Sequence, residues 1–89
     1  MMDIKKTAAA GTMESSDVFV TVAPASQLTV EITSVVINQY GEAIKNCVNR
    51  TLSELGVKSG KVTIADKGAI DCVIAARVET AVRRAGGEN

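Results

Sequence analysis

Three observations predict an α+β fold. Three short stretches, 17–23, 28–33 and 61–65, alternate apolar and polar residues as strands do. Two longer stretches, 35–55 and the run from Ile70 to Ala85, repeat apolar residues at helical spacing. Each strand carries a single apolar face, so both helices must cover the same side of one sheet. The expected architecture is a two-layer sandwich of order β-β-α-β-α, a three-stranded mixed sheet with two helices on one face.

The first strand points Val18, Val20 and Val22 inward and Phe19, Thr21 and Ala23 outward. Pro24-Ala25-Ser26-Gln27 turns the chain into a second strand with Leu28, Val30 and Ile32 inward. A connection this short predicts an antiparallel hairpin. The first helix places Val36, Tyr40, Ala43, Ile44, Cys47, Val48, Thr51, Leu52 and Leu55 on one stripe, with Ser34 as N-cap and Gly56 as its stop. The third strand turns Val62 and Ile64 inward, and a right-handed crossover sets it parallel to the second. We place the first strand between the other two. Asp66 caps the last helix, whose stripe is Ile70, Val73, Ile74, Arg77, Val78, Ala81, Val82 and Ala85, and Gly86-Gly87 ends it. Asp71 at its start and Arg83 and Arg84 at its end suit the helix dipole. Val18, Val20, Val22, Val30, Ile32, Ile44, Val48, Leu52, Ile64, Ile74 and Val78 form the expected core. The chain divides into a flexible N-terminal arm at 1–16, a single domain at 17–86 and a tail at 87–89.

Composition narrows the function. The 89 residues are 46% hydrophobic but only 2% aromatic, so the core must be built from Val, Ile, Leu and Ala. Formal net charge is zero, which argues against a nucleic-acid binder and against the strongly acidic, all-helical kind of acyl carrier. There is no His, which removes the usual general base and the commonest metal ligand. No metal site is expected. No apolar run approaches the ~20 residues of a membrane helix, and the Met1–Lys6 start is not a secretory signal. The expectation is a cytoplasmic protein without a membrane partner, with Cys47 and Cys72 as reduced thiols in the core.

The stretch Gly11-Thr12-Met13-Glu14-Ser15-Ser16-Asp17 has no apolar periodicity. It reads as a solvated loop that presents a pair of primary hydroxyls. Ser15, Asp17, Asp66, Lys67, Asp71 and Arg77 are the residues an enzyme would draw on, yet a serine nucleophile needs a base and an oxyanion site. Asp66 and Asp71 are accounted for by capping and the helix dipole. A carrier needs only an accessible hydroxyl on a small body, and a small α+β interaction subunit with no covalent group needs not even that.

The segment Ala10-Gly11-Thr12-Met13-Glu14-Ser15, with Asp17 following, resembles the prosthetic-group segment of the citrate lyase acyl carrier protein, the gamma subunit. Val22-Ala23-Pro24, Asp66-Lys67-Gly68-Ala69-Ile70-Asp71-Cys72 and Ala76-Arg77-Val78-Glu79 resemble the same family, in order and at similar spacing. The resemblance covers nearly the whole chain. It implies a non-catalytic carrier subunit in bacterial citrate fermentation, with catalysis in the alpha and beta subunits. It implies 2'-(5''-phosphoribosyl)-3'-dephospho-CoA, delivered from a triphosphoribosyl precursor by a transferase and joined to Ser15 through a phosphodiester. Acetyl and citryl thioesters on that arm would serve the cleavage of citrate to acetate and oxaloacetate. The family pattern has Gly after the modified serine where this chain has Ser16, so Ser16 is the fallback attachment point. Arg77, on or beside an apolar stripe, is a candidate partner for a carboxylate or for the arm's phosphates.

Overall fold

The computed structural model describes residues 2–86. The expected tail 87–89, and with it Gly87 as part of the last helix stop, lies outside the described residues. Four strands and two helices follow in the order β1 (Ala8–Gly11), β2 (Val18–Ala23), β3 (Leu28–Ser34), α1 (Ile37–Glu54), β4 (Gly60–Asp66) and α2 (Asp71–Ala85). The α+β sandwich is as expected, with one strand more than the three anticipated. The added strand is β1, inside the stretch expected to be a free arm.

The sheet order is β1-β2-β4-β3. β1 and β2 are antiparallel, as are β2 and β4, while β3 runs parallel to β4. The parallel pairing joined through α1 matches the expectation. The hairpin and the central position of the Val18–Ala23 strand do not: β4 lies between β2 and β3, so Pro24–Gln27 spans a gap of one strand. The burial patterns supply the reason. β4 buries Val62 and Ile64 completely, whereas β3 leaves Val30 and Ile32 only partly buried and Leu28 exposed. The strand better supplied with buried side chains takes the centre, and the strand bearing Thr29, Glu31 and Thr33 takes the edge.

Register aligns the inward residues into rows. Ala8, Val22, Val62 and Val30 form one row, and Ala10, Val20, Ile64 and Ile32 the next. Val18, Val20, Val22, Val48, Val62, Ile64, Ile74, Val78 and Val82 are wholly inaccessible. Ala8 and Ala10 of β1 lie on the inward face of the sheet, where β1 packs against α2 and leaves room for small side chains only. Arg84 Nη1 donates to the Ala9 carbonyl at 2.8 Å and ties the two together.

Helix ends depart from expectation in two places. α1 begins at Ile37, not at Val35, and Ser34 does not cap it; its hydroxyl accepts the Val36 N–H at 3.0 Å instead. Asp66 likewise lies outside α2, whose N-cap is Ile70 with no side-chain cap. The C-terminal stop holds: Gly56 has φ +74°, its N–H donates to Ser53 O and that of Val57 to Leu52 O, both at 3.0 Å. Cys47 is buried in the core as expected, and burial raises its thiol pKa. Cys72 is not a core residue; it faces solvent.

Candidate functional site

The loop between β1 and β2 is a built turn. The Asp17 N–H donates to Glu14 O at 3.1 Å, which closes a four-residue turn with Ser15 and Ser16 at its two central positions. Ser16 has φ +68°, while Ser15 is not left-handed. Turns with positive φ at the third position only are the kind that favours Gly there. Both serines are exposed, and neither hydroxyl hydrogen-bonds to another described residue. Two main-chain bonds hold the turn against the end of β4: Ser16 N–H to Lys67 O at 2.8 Å and Lys67 N–H to Asp17 O at 2.9 Å.

Asp17 is the bracket of this loop. Its Oδ2 accepts the Thr12 hydroxyl at 2.6 Å and its Oδ1 the Val18 N–H at 2.8 Å. Arg77 closes on it from α2 with Nε to Oδ1 at 3.2 Å and Nη2 to Oδ2 at 3.1 Å. These donors favour the charged carboxylate. The Thr12 hydroxyl first, then the Val18 N–H and the Arg77 guanidinium, lower its pKa from 3.8 to about 2. Arg77 is therefore engaged with a carboxylate, one of the two partners considered for it. The Arg77 stem runs over Gly11, whose φ is +96°. A Cβ there would overlap the Val18 carbonyl oxygen and lie 3.3 Å from Arg77 Cδ. The spacing of Gly11 and Asp17 about the serines thus has a geometric cause: one lets the arginine pass and the other anchors it.

The remaining candidates gather at the same end of the sheet. Asp66 is buried, and its carboxylate accepts the Ser34 hydroxyl at 2.8 Å, the Gly68 N–H at 3.1 Å and the Ala69 N–H at 2.9 Å. Asp71 is exposed in the first turn of α2. Lys67 contributes its backbone to the serine turn. Asp17 and Asp66 thus hold loops in place through bonds that occupy their oxygens. Sequence reasoning missed Thr12 as a donor, and the signal was present: a hydroxyl residue five positions before an Asp across a turn. It also read the loop as unanchored, because backbone bonds to β4 leave no trace in local periodicity.

The turn presents two exposed primary alcohols, those of Ser15 and Ser16, on a backbone tied to β4. Among the described residues no group of three or more His, Cys, Asp or Glu side chains is placed to hold a metal ion. No helix among them is long and apolar enough to cross a membrane.

Residues 5–85 match the family described as malonate decarboxylase delta subunit, an acyl carrier protein family. The chain is 59% identical over 85 residues to the citrate lyase acyl carrier protein of Pectobacterium atrosepticum, covering 94% of this chain and 88% of that one. It is 51% identical over 86 residues to the protein of the same name from Streptococcus mutans, covering 94% and 84%. Among solved structures, a chain in the crystal structure of a Pseudomonas malonate decarboxylase hetero-tetramer in complex with malonate superposes with a TM-score of 0.82. That likeness covers 93% of this chain and 87% of that one at 21% identity, and bears on the fold alone. With such relatives along nearly its full length, the chain belongs to the citrate lyase acyl carrier protein family.

Proposed function

We propose that this chain is the acyl carrier subunit of a cytoplasmic citrate lyase and that Ser15 carries its prosthetic group. The observation that supports this most directly is the Ser15 hydroxyl, exposed and without a hydrogen-bond partner at the tip of a turn braced from three sides. A primary alcohol so presented fits a phosphodiester link to 2'-(5''-phosphoribosyl)-3'-dephospho-CoA. In the loading step Ser15 Oγ attacks the phosphate of the triphosphoribosyl precursor. The Oγ–P bond forms as pyrophosphate leaves, and the hydroxyl proton passes to a base of the transferase.

When bound, the group would supply a terminal thiol for acyl transfer, and the cleavage of citrate to acetate and oxaloacetate would fall to alpha and beta subunits. The chain's own residues position it. Asp17 and Arg77 hold the turn, Ser15 anchors the arm, and the body keeps the arm close to both active sites, so that transfer is effectively intramolecular at millimolar-scale local concentration. Arg77, 41% exposed and adjacent to the turn, is proposed as a contact for the linking phosphate.

The test is to coexpress Ser15→Ala and Ser16→Ala variants with the modifying enzymes and weigh the products. Loss of the added mass in Ser15→Ala alone is expected. Loss in Ser16→Ala alone moves the attachment by one residue. Retention of the mass in the double variant overturns the assignment to this turn.

A further inference from the structure

A groove of about 460 Å³ opens between the N-terminal half of α1 and the loop leading into α2. Its apolar walls are Val36, Tyr40, Ala43 and Ile44 on one side and Ala69 and Ile70 on the other. Asp66, Gly68 and Asp71 complete its lining. The Asp66 carboxylate is already engaged with Ser34, Gly68 and Ala69, so the polar side-chain groups that the largely apolar groove leaves to a ligand are the exposed Asp71 carboxylate and the Tyr40 hydroxyl. Tyr40 and Ile70 are 58% and 67% exposed. Exposed apolar side chains gathered in one place mark a binding site more often than scattered ones do.

The groove adjoins the serine turn. Ser16 N–H bonds to Lys67 O at 2.8 Å, and Lys67 is the chain neighbour of both Asp66 and Gly68, at about 3.8 Å per residue. We infer that this groove is the resting site of the purine nucleoside of the covalent arm, with the base stacked on Tyr40. The inference rests on the carrier reading proposed above. In that arm the first groups after the serine are a phosphate and a ribose, and the adenosine comes next, so only a phosphate and a ribose separate the base from the turn that the groove adjoins. A flat, weakly hydrogen-bonding face on an aromatic ring is the common mode of base recognition without sequence demand. Tethering makes even a weak contact effective. Seating the nucleoside restrains the near half of the arm and leaves the thiol end free to travel. Seating the acyl end would oppose each transfer.

The chain has one Tyr and no Trp, so its tyrosine emission reports on Tyr40 alone. The experiment compares loaded and unloaded full-length chain, each verified by mass, in tyrosine fluorescence and in amide chemical shifts. Loading is expected to quench the emission and to shift amides across residues 36–44 and 68–71. A Tyr40→Ala chain, its side chain largely in solvent, is expected to fold, gain the full mass and lose most of the groove shifts. Full added mass with unchanged emission and unchanged groove amides overturns the inference and leaves the carrier reading standing. Groove shifts that appear only after the terminal thiol is acetylated assign the groove to the acyl end and overturn it too. Absence of added mass in chain purified from its native host overturns the carrier reading itself, and the inference with it.

Discussion

At the end of the sandwich where the two helices finish, residues 2–6 cross both C-termini. Met2 N–H donates to Leu55 O at 3.1 Å, and the Lys5 and Lys6 N–H groups both donate to Ala85 O at 3.0 and 3.1 Å. Ile4 sits buried beside them. One carbonyl at each helix C-terminus, Leu55 O and Ala85 O, is thereby satisfied. At the opposite end α1 starts without a side-chain cap, and Val35, Ile37, Tyr40 and Ile70 remain exposed. The two ends have the same kind of apolar residues and opposite coverage. The polar work at the open end is concentrated in the serine turn, the Asp17–Arg77 pair and the Asp66 loop. An apolar stripe therefore reports which face of a helix can be covered; whether this chain or another molecule covers it is decided elsewhere.

The largest effect expected from this contrast is in stability. Ile4→Ala should cost about 2–5 kcal/mol, as lost burial plus a cavity, whereas Tyr40→Ala should stay within about 0.5 kcal/mol. Denaturant titration of both variants measures the difference. A Tyr40→Ala loss as large as that of Ile4→Ala would mean that the open end is closed in solution.

Two left-handed glycines at the open end sharpen the point. Gly11 has φ +96° and no room for a Cβ, while Gly68 has φ +97° and nothing within 4 Å of one. Alanine at Gly68 should cost only the conformational strain, about 1–2 kcal/mol. Alanine at Gly11 should cost more, because the added carbon meets the Val18 carbonyl and the Arg77 stem. Equal losses at the two positions would show that the loop yields and that the Arg77 brace is loose.

The same contrast governs what was legible in the sequence. The spans of β2, β3, β4 and both helices follow from periodicity to within a residue or two, because burial of one face imposes a period of two or of 3.6. β1 was hidden because Thr7-Ala8-Ala9-Ala10 has no alternation, and alanine favours helix over strand. It is a strand because α2 needs small residues beneath it, a requirement of packing that no local pattern carries. Strand order was hidden for a related reason: alternation reports a strand's faces but not its neighbours. Gly11, the serines and Asp17 stood out as a loop, and Arg77 as a charge beside an apolar stripe. That Asp17 and Arg77 belong together depends on a separation of 60 residues, which only the fold closes.

Acid should loosen the open end first. The Asp17 carboxyl has its pKa lowered from 3.8 to about 2, so its protonation is less favourable in the folded chain than in the unfolded one. The stabilisation is complete above pH 3.8 and is lost as pH falls toward about 2. Amide exchange across residues 12–17 should therefore speed up in that window before the β2–β4 amides respond. In Asp17→Asn, which keeps one acceptor oxygen and drops the charge, the window should disappear. Persistence of the same pH response in that variant would assign it to another carboxylate.

The smallest effect expected is at Ser16, and it separates the two hydroxyls by what each does for the backbone. Ser16 holds φ +68°, a conformation that costs a residue with a Cβ about 1–2 kcal/mol. Glycine relieves that cost but loses more freedom on folding, an opposing effect of about 0.5–1 kcal/mol. The net gain from Ser16→Gly should be about 0–1.5 kcal/mol, with the Ser16 N–H still bonded to Lys67 O. Ser15→Ala, at an exposed position that is not left-handed, should leave stability unchanged. If Ser15 is the anchor, the Ser16→Gly chain gains the full mass of the arm and is slightly more stable, while the Ser15→Ala chain is as stable as its parent and gains nothing. A Ser16→Gly chain that folds and fails to load would show that the transferase needs the second hydroxyl, and the turn would then have to be read as presenting Ser16.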